Sequence, residues 1–307
     1  MTFKLTVLGS GSGAPTPTRY NSAQVLNVHE RFVLIDCGEG TQFQLRRNSI
    51  NFNRIELILI SHLHGDHFFG LAGLLNTMHL LGRTKDIIIA GHADLKNYID
   101  TIFSISHFKP GYNITFRAIE PNQSGPLLST DKYTVDVFPL KHRITSTGFK
   151  ITETRAESKI SKEFIFEHGP SVDEIKAIKK GADYVSKEGS IIPNNEILIS
   201  PPPPRSFVYA SDTSYFPNIV PHIKNVDLLY HEATFDRSKY INAREKYHST
   251  AEEAAKIAKE AQVKQLLIGH FSARYNDNNT LLQEACSVFP NTIAAYDGLS
   301  IDIPIST

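Results

Sequence analysis

The sequence predicts an α/β fold built on two packed sheets. Three observations carry that expectation. Short apolar runs recur along the 307-residue chain, several of them deliver one His, Asp or Glu at their tip, and helix-patterned stretches lie between them. In layered α/β folds, ligands collect just beyond the carboxyl ends of strands, so those polar tips are expected to converge at one edge.

Taken in order, "FKLTVLG" (3–9), "AQVLNV" (23–28) and "RFVLIDCG" (31–38) are rich in β-branched and apolar residues and bounded by Gly, Pro and Asn. A helix is expected over about 39–48. The run "IELILIS" (55–61) is almost continuously apolar, the pattern of a strand covered on both faces. It leads into "HLHGDH", after which the apolar spacing from Phe68 to Leu81 suits a helix, and "DIIIAG" (86–91) reads as another buried strand.

The second half repeats the plan. "KYTVDVFPLKH" (132–142) ends in His142, and "SFVYASDTS" (206–214) carries Asp212 near its end. "VDLLYHEATF" (226–235) carries His231 and Glu232, and "KQLLIGHFS" (264–272) carries His270. "STAEEAAKIAKEAQ" (249–262) is a helix that Ser249 or Thr250 can cap, with Glu252 and Glu253 in the first turn where the dipole favours them. Between these lies a segment of weak periodicity, about 153–204, with Gly169-Pro170, Gly181, Gly189 and the prolines Pro201–Pro204. A long surface loop and a projecting arm both fit it. The expected organisation is one domain over 1–307 with an inserted arm at about 153–204.

Composition sets bounds. Hydrophobic residues at 41% and charged residues at 21% suit a soluble globular enzyme. Basic and acidic residues balance at 32 each, so composition gives no support for a purely electrostatic nucleic-acid binder. No apolar run approaches the roughly 20 residues that span a bilayer, so no membrane partner is expected. The amino terminus lacks a signal-peptide core, which points to a cytoplasmic location. Cys37 and Cys286 sit in no CxxC pattern, which argues against a disulfide framework or a thiolate zinc site. "GSGSGA" (9–14) fits a dinucleotide fingerprint, but Pro15 and Pro17 block the helix that motif needs. A glycine-rich loop near the active site is the better reading.

A lone histidine at a strand end is ordinarily structural. His62, His64, Asp66 and His67 place four ligand-type side chains within six residues. Imidazole and carboxylate are zinc donors, and a catalytic ion takes about three protein ligands with one position open. With His142, Asp212 and His270 added from other strand ends, the set is large enough for two ions sharing one carboxylate.

These segments resemble a known family. "LGSGSGAPTPTRYNSA", "LIDCGEGTQFQL", "SHLHGDHFFGLAGLL", "PLKHRITSTGF", "YASDTS", "HEATF", "YHSTAEEAA" and "GHFSARY" resemble, in order and from about residue 3 to 297, the ribonuclease Z family, the tRNA 3′-processing endonucleases of the metallo-β-lactamase superfamily. The resemblance implies a four-layer αββα metallo-β-lactamase sandwich in its short form. It implies two Zn²⁺ per chain, one on His62, His64 and His142, the other on Asp66, His67 and His270, with Asp212 bridging. It implies Glu232 and His248 as the proton-donating pair, and Asp66 orienting a hydroxide shared by the two ions. The substrate implied is precursor tRNA, cut to leave a tRNA 3′-hydroxyl and a 5′-phosphate on the trailer, by a cytoplasmic homodimer.

An arm with Gly169-Pro170 and Lys176, Lys179 and Lys180 is implied to hold the tRNA. Basic and acidic residues balance over 155–188, so any phosphate grip there depends on the local lysine cluster. Arg19 and Asn21 correspond to a loop near the tRNA 3′ end, where Thr16 and Thr18 stand in place of the lysine the family often has. His231 is read as structural. Two alternatives remain: another superfamily hydrolase, acting on a small phosphodiester or an aryl sulfate, and an RNA-binding module whose metals are structural.

Overall fold

The computed structural model describes residues 2–305. The chain divides into two compact units, one running up to Glu153 and continuing as Arg205–Pro304, the other formed by Thr154–Pro204 with Ile305.

The larger unit contains two seven-stranded sheets. In the first, the order is Ser300–Asp302, Phe3–Gly9, Ala23–Val28, Arg31–Ile35, Ile55–Leu59, Ile87–Gly91 and Ile114–Ala118, antiparallel up to Arg31–Ile35 and parallel beyond it. In the second, the order is Thr292–Ala294, Gln265–Gly269, Leu228–Glu232, Ser206–Ala210, Thr147–Glu153, Tyr133–Pro139 and Gly125–Ser129. The first four of these run parallel and the remainder antiparallel.

Strand Ile55–Leu59 shows why the sheets stack. Successive side chains point to opposite faces. Leu57 and Leu59 enter a core shared with Val135, Phe149, Phe207 and Leu229 of the second sheet. Ile58 and Ile60 face the other way, against Leu71, Leu74 and Met78 of helix Leu71–Leu80 and Leu95 of helix Asp94–Ile105. Helices Ala251–Glu260 and Asn279–Val288 cover the outer face of the second sheet, through residues such as Ile257 and Leu281. The architecture is the αββα sandwich expected from the sequence.

Several expected boundaries shorten. Helix 39–48 becomes Thr41–Arg47, and helix 68–81 becomes Leu71–Leu80 after a single turn at Gly65–Phe68. Thr250 caps helix Ala251–Glu260 in a reciprocal box with Glu253. Ser249 is used elsewhere, donating its hydroxyl to the Thr213 carbonyl.

The smaller unit is folded, which weak periodicity did not foretell. Lys159–Ile160 pairs with Leu198–Ile199, and Tyr184–Val185 with Ile191–Ile192. Helix Lys162–His168 ends at Gly169, whose φ of 53° is the left-handed cap position, and Pro170 prevents its continuation. Ser171 and Glu174 then box the start of helix Val172–Lys179. Phe164, Ile178, Tyr184 and Ile197 form its core.

Candidate metal centre

Every donor expected from the sequence stands just beyond a strand end in the larger unit. His62 and His64 follow Ile55–Leu59, and Asp66 and His67 lie in the turn after them. His142, Asp212 and His270 follow Tyr133–Pro139, Ser206–Ala210 and Gln265–Gly269. Asp212 and His270 leave their strands with φ of 60° and 58°, left-handed backbone that costs a non-glycine residue energy. That turn aims their side chains back into the cluster.

The seven side chains form two groups joined at Asp212. In the first, His64 Nδ1 lies 3.1 Å from both His62 Nε2 and His142 Nε2, and Asp212 Oδ2 lies 3.5 and 3.6 Å from those two nitrogens. In the second, His67 Nε2 and His270 Nε2 are 3.3 Å apart, with Asp212 Oδ1 at 3.1 and 3.0 Å and Asp66 Oδ2 at 3.6 Å from each. A tetrahedral ion with bonds of about 2.1 Å separates its ligand atoms by about 3.4 Å, so each group has the dimensions of one coordination shell. Each also draws two donors from the first sheet's edge and two from the second's.

The partners behind the rings decide which nitrogens carry protons. His142 Nδ1 donates to the Tyr247 carbonyl at 3.0 Å, and His67 Nδ1 to Asp36 Oδ2 at 2.7 Å. Ser61 Oγ donates to Asp36, so at 3.0 Å it accepts from His62 Nδ1. Thr234 Oγ1 donates to Glu232, so at 3.0 Å it accepts from His270 Nδ1. In all four rings the proton is held outward, and a neutral imidazole then presents a lone pair at Nε2. Four imidazoles with their outward nitrogens protonated and two carboxylates converge in a buried space, an arrangement suited to a bound cation.

The electrostatics agree. Burial lowers the proton affinity of His62, His64 and His142, which suits neutral ligands. At His67 burial also opposes charge, but Asp212, Asp66 and Asp36 outweigh it and raise the pKa well above the usual value. The second group therefore calls for positive charge. Asp212 and Asp66 are both held as carboxylates: burial works against them, and the surrounding imidazoles prevail.

Glu232 and His248 stand beside this cluster. His248 Nδ1 donates to Glu232 Oε1 at 2.9 Å and lies 4.0 Å from Asp212 Oδ2. Glu232, fully buried, also accepts from Thr213 N at 2.7 Å, Thr234 Oγ1 at 2.5 Å and Ser249 N at 3.1 Å. Its oxygens are well supplied with donors, and with Asp212, His248 and His270 it also forms a group compact enough to hold an ion.

Asp36 is the principal residue the sequence reading missed. It is buried at the end of Arg31–Ile35 with φ of 55°, and accepts from Ser61 N, Ser61 Oγ, His67 Nδ1 and the Tyr209 hydroxyl. The one sequence signal was a charged residue ending the apolar run "RFVLID". Asp36→Asn is expected to weaken metal affinity roughly 10- to 100-fold, read by competition with a chelator. Undiminished affinity would count against Asp36 as the residue fixing the His67 ring.

Two residues expected near the tRNA 3′ end are buried in the structure. Arg19 is only 6% exposed and Asn21 only 3%. Arg19 donates to Asn278 Oδ1 at 2.9 Å and stacks on Phe271, and Asn21 Nδ2 donates to the Gly13 carbonyl. Both hold the glycine-rich loop rather than facing solvent. Asp297 holds it too, accepting from Ser10 N at 2.9 Å and Tyr20 N at 2.7 Å. The loop's product is the Gly13 N–H, which donates to Asp66 Oδ2 at 2.7 Å. Gly9 is required there, since a Cβ would fall 1.7 Å from the Asn21 carbonyl oxygen. Gly169, Pro170, Lys176, Lys179 and Lys180 lie in the smaller unit, where the three lysines border one cavity.

The cluster opens into a cavity of about 650 Å³ lined by Gly13, Asp66, Asp212, His248 and His270 among others.

Comparison with known proteins follows this geometry. A family model described as anti-Pycsar protein Apyc1 matches residues 3–156, and one described as a β-lactamase superfamily domain matches residues 197–271. A ribonuclease Z from Phocaeicola vulgatus is 43% identical over 98% of this chain and 97% of its own length. A ribonuclease Z from Bacteroides thetaiotaomicron is 42% identical over 98% of this chain and 95% of its own. The human short-form tRNase Z superposes with a TM-score of 0.72 at 29% identity, covering 98% of this chain and all of that one. On the strength of full-length identity above 40%, the chain belongs to the ribonuclease Z family of endoribonucleases on the metallo-β-lactamase fold.

Proposed function

We propose that the chain removes 3′ trailers from precursor tRNA with two zinc ions, leaving a 3′-hydroxyl on the tRNA and a 5′-phosphate on the trailer. The observation that carries the reading is Asp212, whose two oxygens serve two adjacent donor groups while the Glu232–His248 pair stands beside them.

When bound, two adjacent ions acidify a water and neutralise phosphodiester charge. The protein's own groups supply the rest. Asp66, held by the Gly13 N–H, orients the attacking oxygen and accepts its proton. His248 lines the cavity with its Nδ1 tied to Glu232, so Nε2 is the nitrogen left to hand a proton to the leaving oxygen. Glu232 keeps that ring charged and turned.

Chelation of the enzyme should stop cleavage of a 3′-extended pre-tRNA, and added zinc should restore it with the ends mapped as stated. Cleavage that persists in chelator would end this reading. A different superfamily hydrolase is the alternative, since the model matching residues 3–156 carries another description. Failure to cut pre-tRNA, with rapid turnover of a small phosphodiester, would favour it.

In this reading the smaller unit holds the tRNA through Gly169-Pro170 and the lysine cluster, and the enzyme works as a cytoplasmic homodimer. Deleting roughly 160–190 should weaken pre-tRNA cleavage by tenfold or more, as loss of several phosphate contacts does. Hydrolysis of bis(p-nitrophenyl) phosphate should be largely retained. Equal loss on both substrates would mean that the unit supports the fold instead.

A further inference from the structure

We propose that Arg143 and the outer nitrogen of His64 form a subsite for the phosphate next to the scissile one. The inference rests on the reading of the centre as one that cleaves RNA, and it concerns a residue that reading leaves without a role.

His64 differs from the other histidines of the cluster in turning Nδ1, not Nε2, towards its neighbours. A neutral imidazole carries one proton, so with Nδ1 presenting a lone pair to a cation, Nε2 bears the hydrogen. Arg143 Nη2 lies 3.4 Å from that Nε2. A guanidinium has donors only. The structure brings the guanidinium within hydrogen-bond distance of that nitrogen, and once Nε2 carries the hydrogen neither can satisfy the other, so both N–H groups are left to a ligand. No carboxylate among the described residues forms an ion pair with Arg143, although Glu245 borders the same cavity. The missing partner is an acceptor that arrives from solution.

Its chemistry follows from the surroundings. Arg143 and Lys246 are exposed at the cavity mouth, and Arg274 beside them lies over the Phe235 ring. Forked guanidinium donors match anionic phosphate oxygens. The spot lies on the far side of the His64 ring from the donor cluster, since Nδ1 faces the cluster and Nε2 faces Arg143. A non-bridging oxygen of the neighbouring phosphate, rather than of the scissile one, fits that placement.

The test is a thermodynamic cycle in the cleavage-blocked His248→Ala background, with the affinity of a 3′-extended pre-tRNA as the readout. Arg143→Ala should raise Kd about tenfold, as loss of a charge-assisted hydrogen bond does. An RNA with a neutral methylphosphonate at the neighbouring phosphate should lose a similar factor against Arg143. The two changes together should cost no more than either alone, because they remove the same contact. Additive losses, or no loss with Arg143→Ala, would overturn the subsite. If the protein with native His248 fails to cut pre-tRNA at all, the underlying reading fails first, and that outcome is distinct.

Discussion

Asp212→Ala should empty both halves of the centre at once. The carboxylate gives one oxygen to each donor group, so its loss leaves each with three donors at most and leaves the converging imidazole lone pairs without their shared anion. Metal content should fall well below that of the native protein, and turnover on pre-tRNA by roughly a thousandfold or more, since the charge stabilisation of both ions is lost. The check is elemental analysis of the dialysed variant beside single-turnover cleavage. Full metal content with full turnover would show that Asp212 is not shared between two ions.

His248→Ala should separate chemistry from binding. His248 stands outside the two groups joined at Asp212, its Nδ1 being tied to Glu232, so metal content should stay at the native level while turnover falls roughly 10²- to 10⁴-fold, the usual range for a lost general acid. Loss of metal in this variant would sink the proton-donor role. The pH profile gives a second reading. Burial opposes charge on His248, but Glu232, then Asp212 and Asp66, outweigh it and hold the pKa up to about 9. A group with a raised pKa is protonated below it, so turnover should fall as pH rises through that value. Ions bound at Asp212 and Asp66 neutralise their share of the effect, which places the falling limb somewhat below 9. Glu232→Gln removes the largest raising influence and should move the limb further down. A limb unmoved by that change would mean that another group titrates.

The donor set was legible in the sequence because its chemistry is local. Four ligand-type side chains within six residues cannot be read as core, and His142, Asp212 and His270 each close an apolar run. The residues behind them were not legible. Asp36, Ser61, Thr234 and the Tyr247 carbonyl act through the partners they meet in space, and no spacing relates Thr234 to His270 or Asp36 to His67. The internal partners of Arg19 and Asn21 were not legible either: polar side chains on a loop suggest solvent, but this loop curls inward and uses them to hold itself.

The fold divides the same way. Doubly covered strands such as Ile55–Leu59 announce themselves by continuous hydrophobicity. The edge strands Ile114–Ala118 and Gly125–Ser129 are half exposed, with no fully buried position, and left no such mark. The smaller unit is held by strands of two residues and helices of eight or fewer, too short for periodicity to register.

Each donor group takes two of its side chains from the edge of one sheet and two from the edge of the other. A bound ion is therefore a cross-link between the halves of the sandwich, placed where their shared apolar core gives way to polar strand tips. Whatever binds the folded protein and not the unfolded chain adds to its stability by mass action. A metal held there would double as a rivet, and scarcity of metal would then loosen the seam between the sheets.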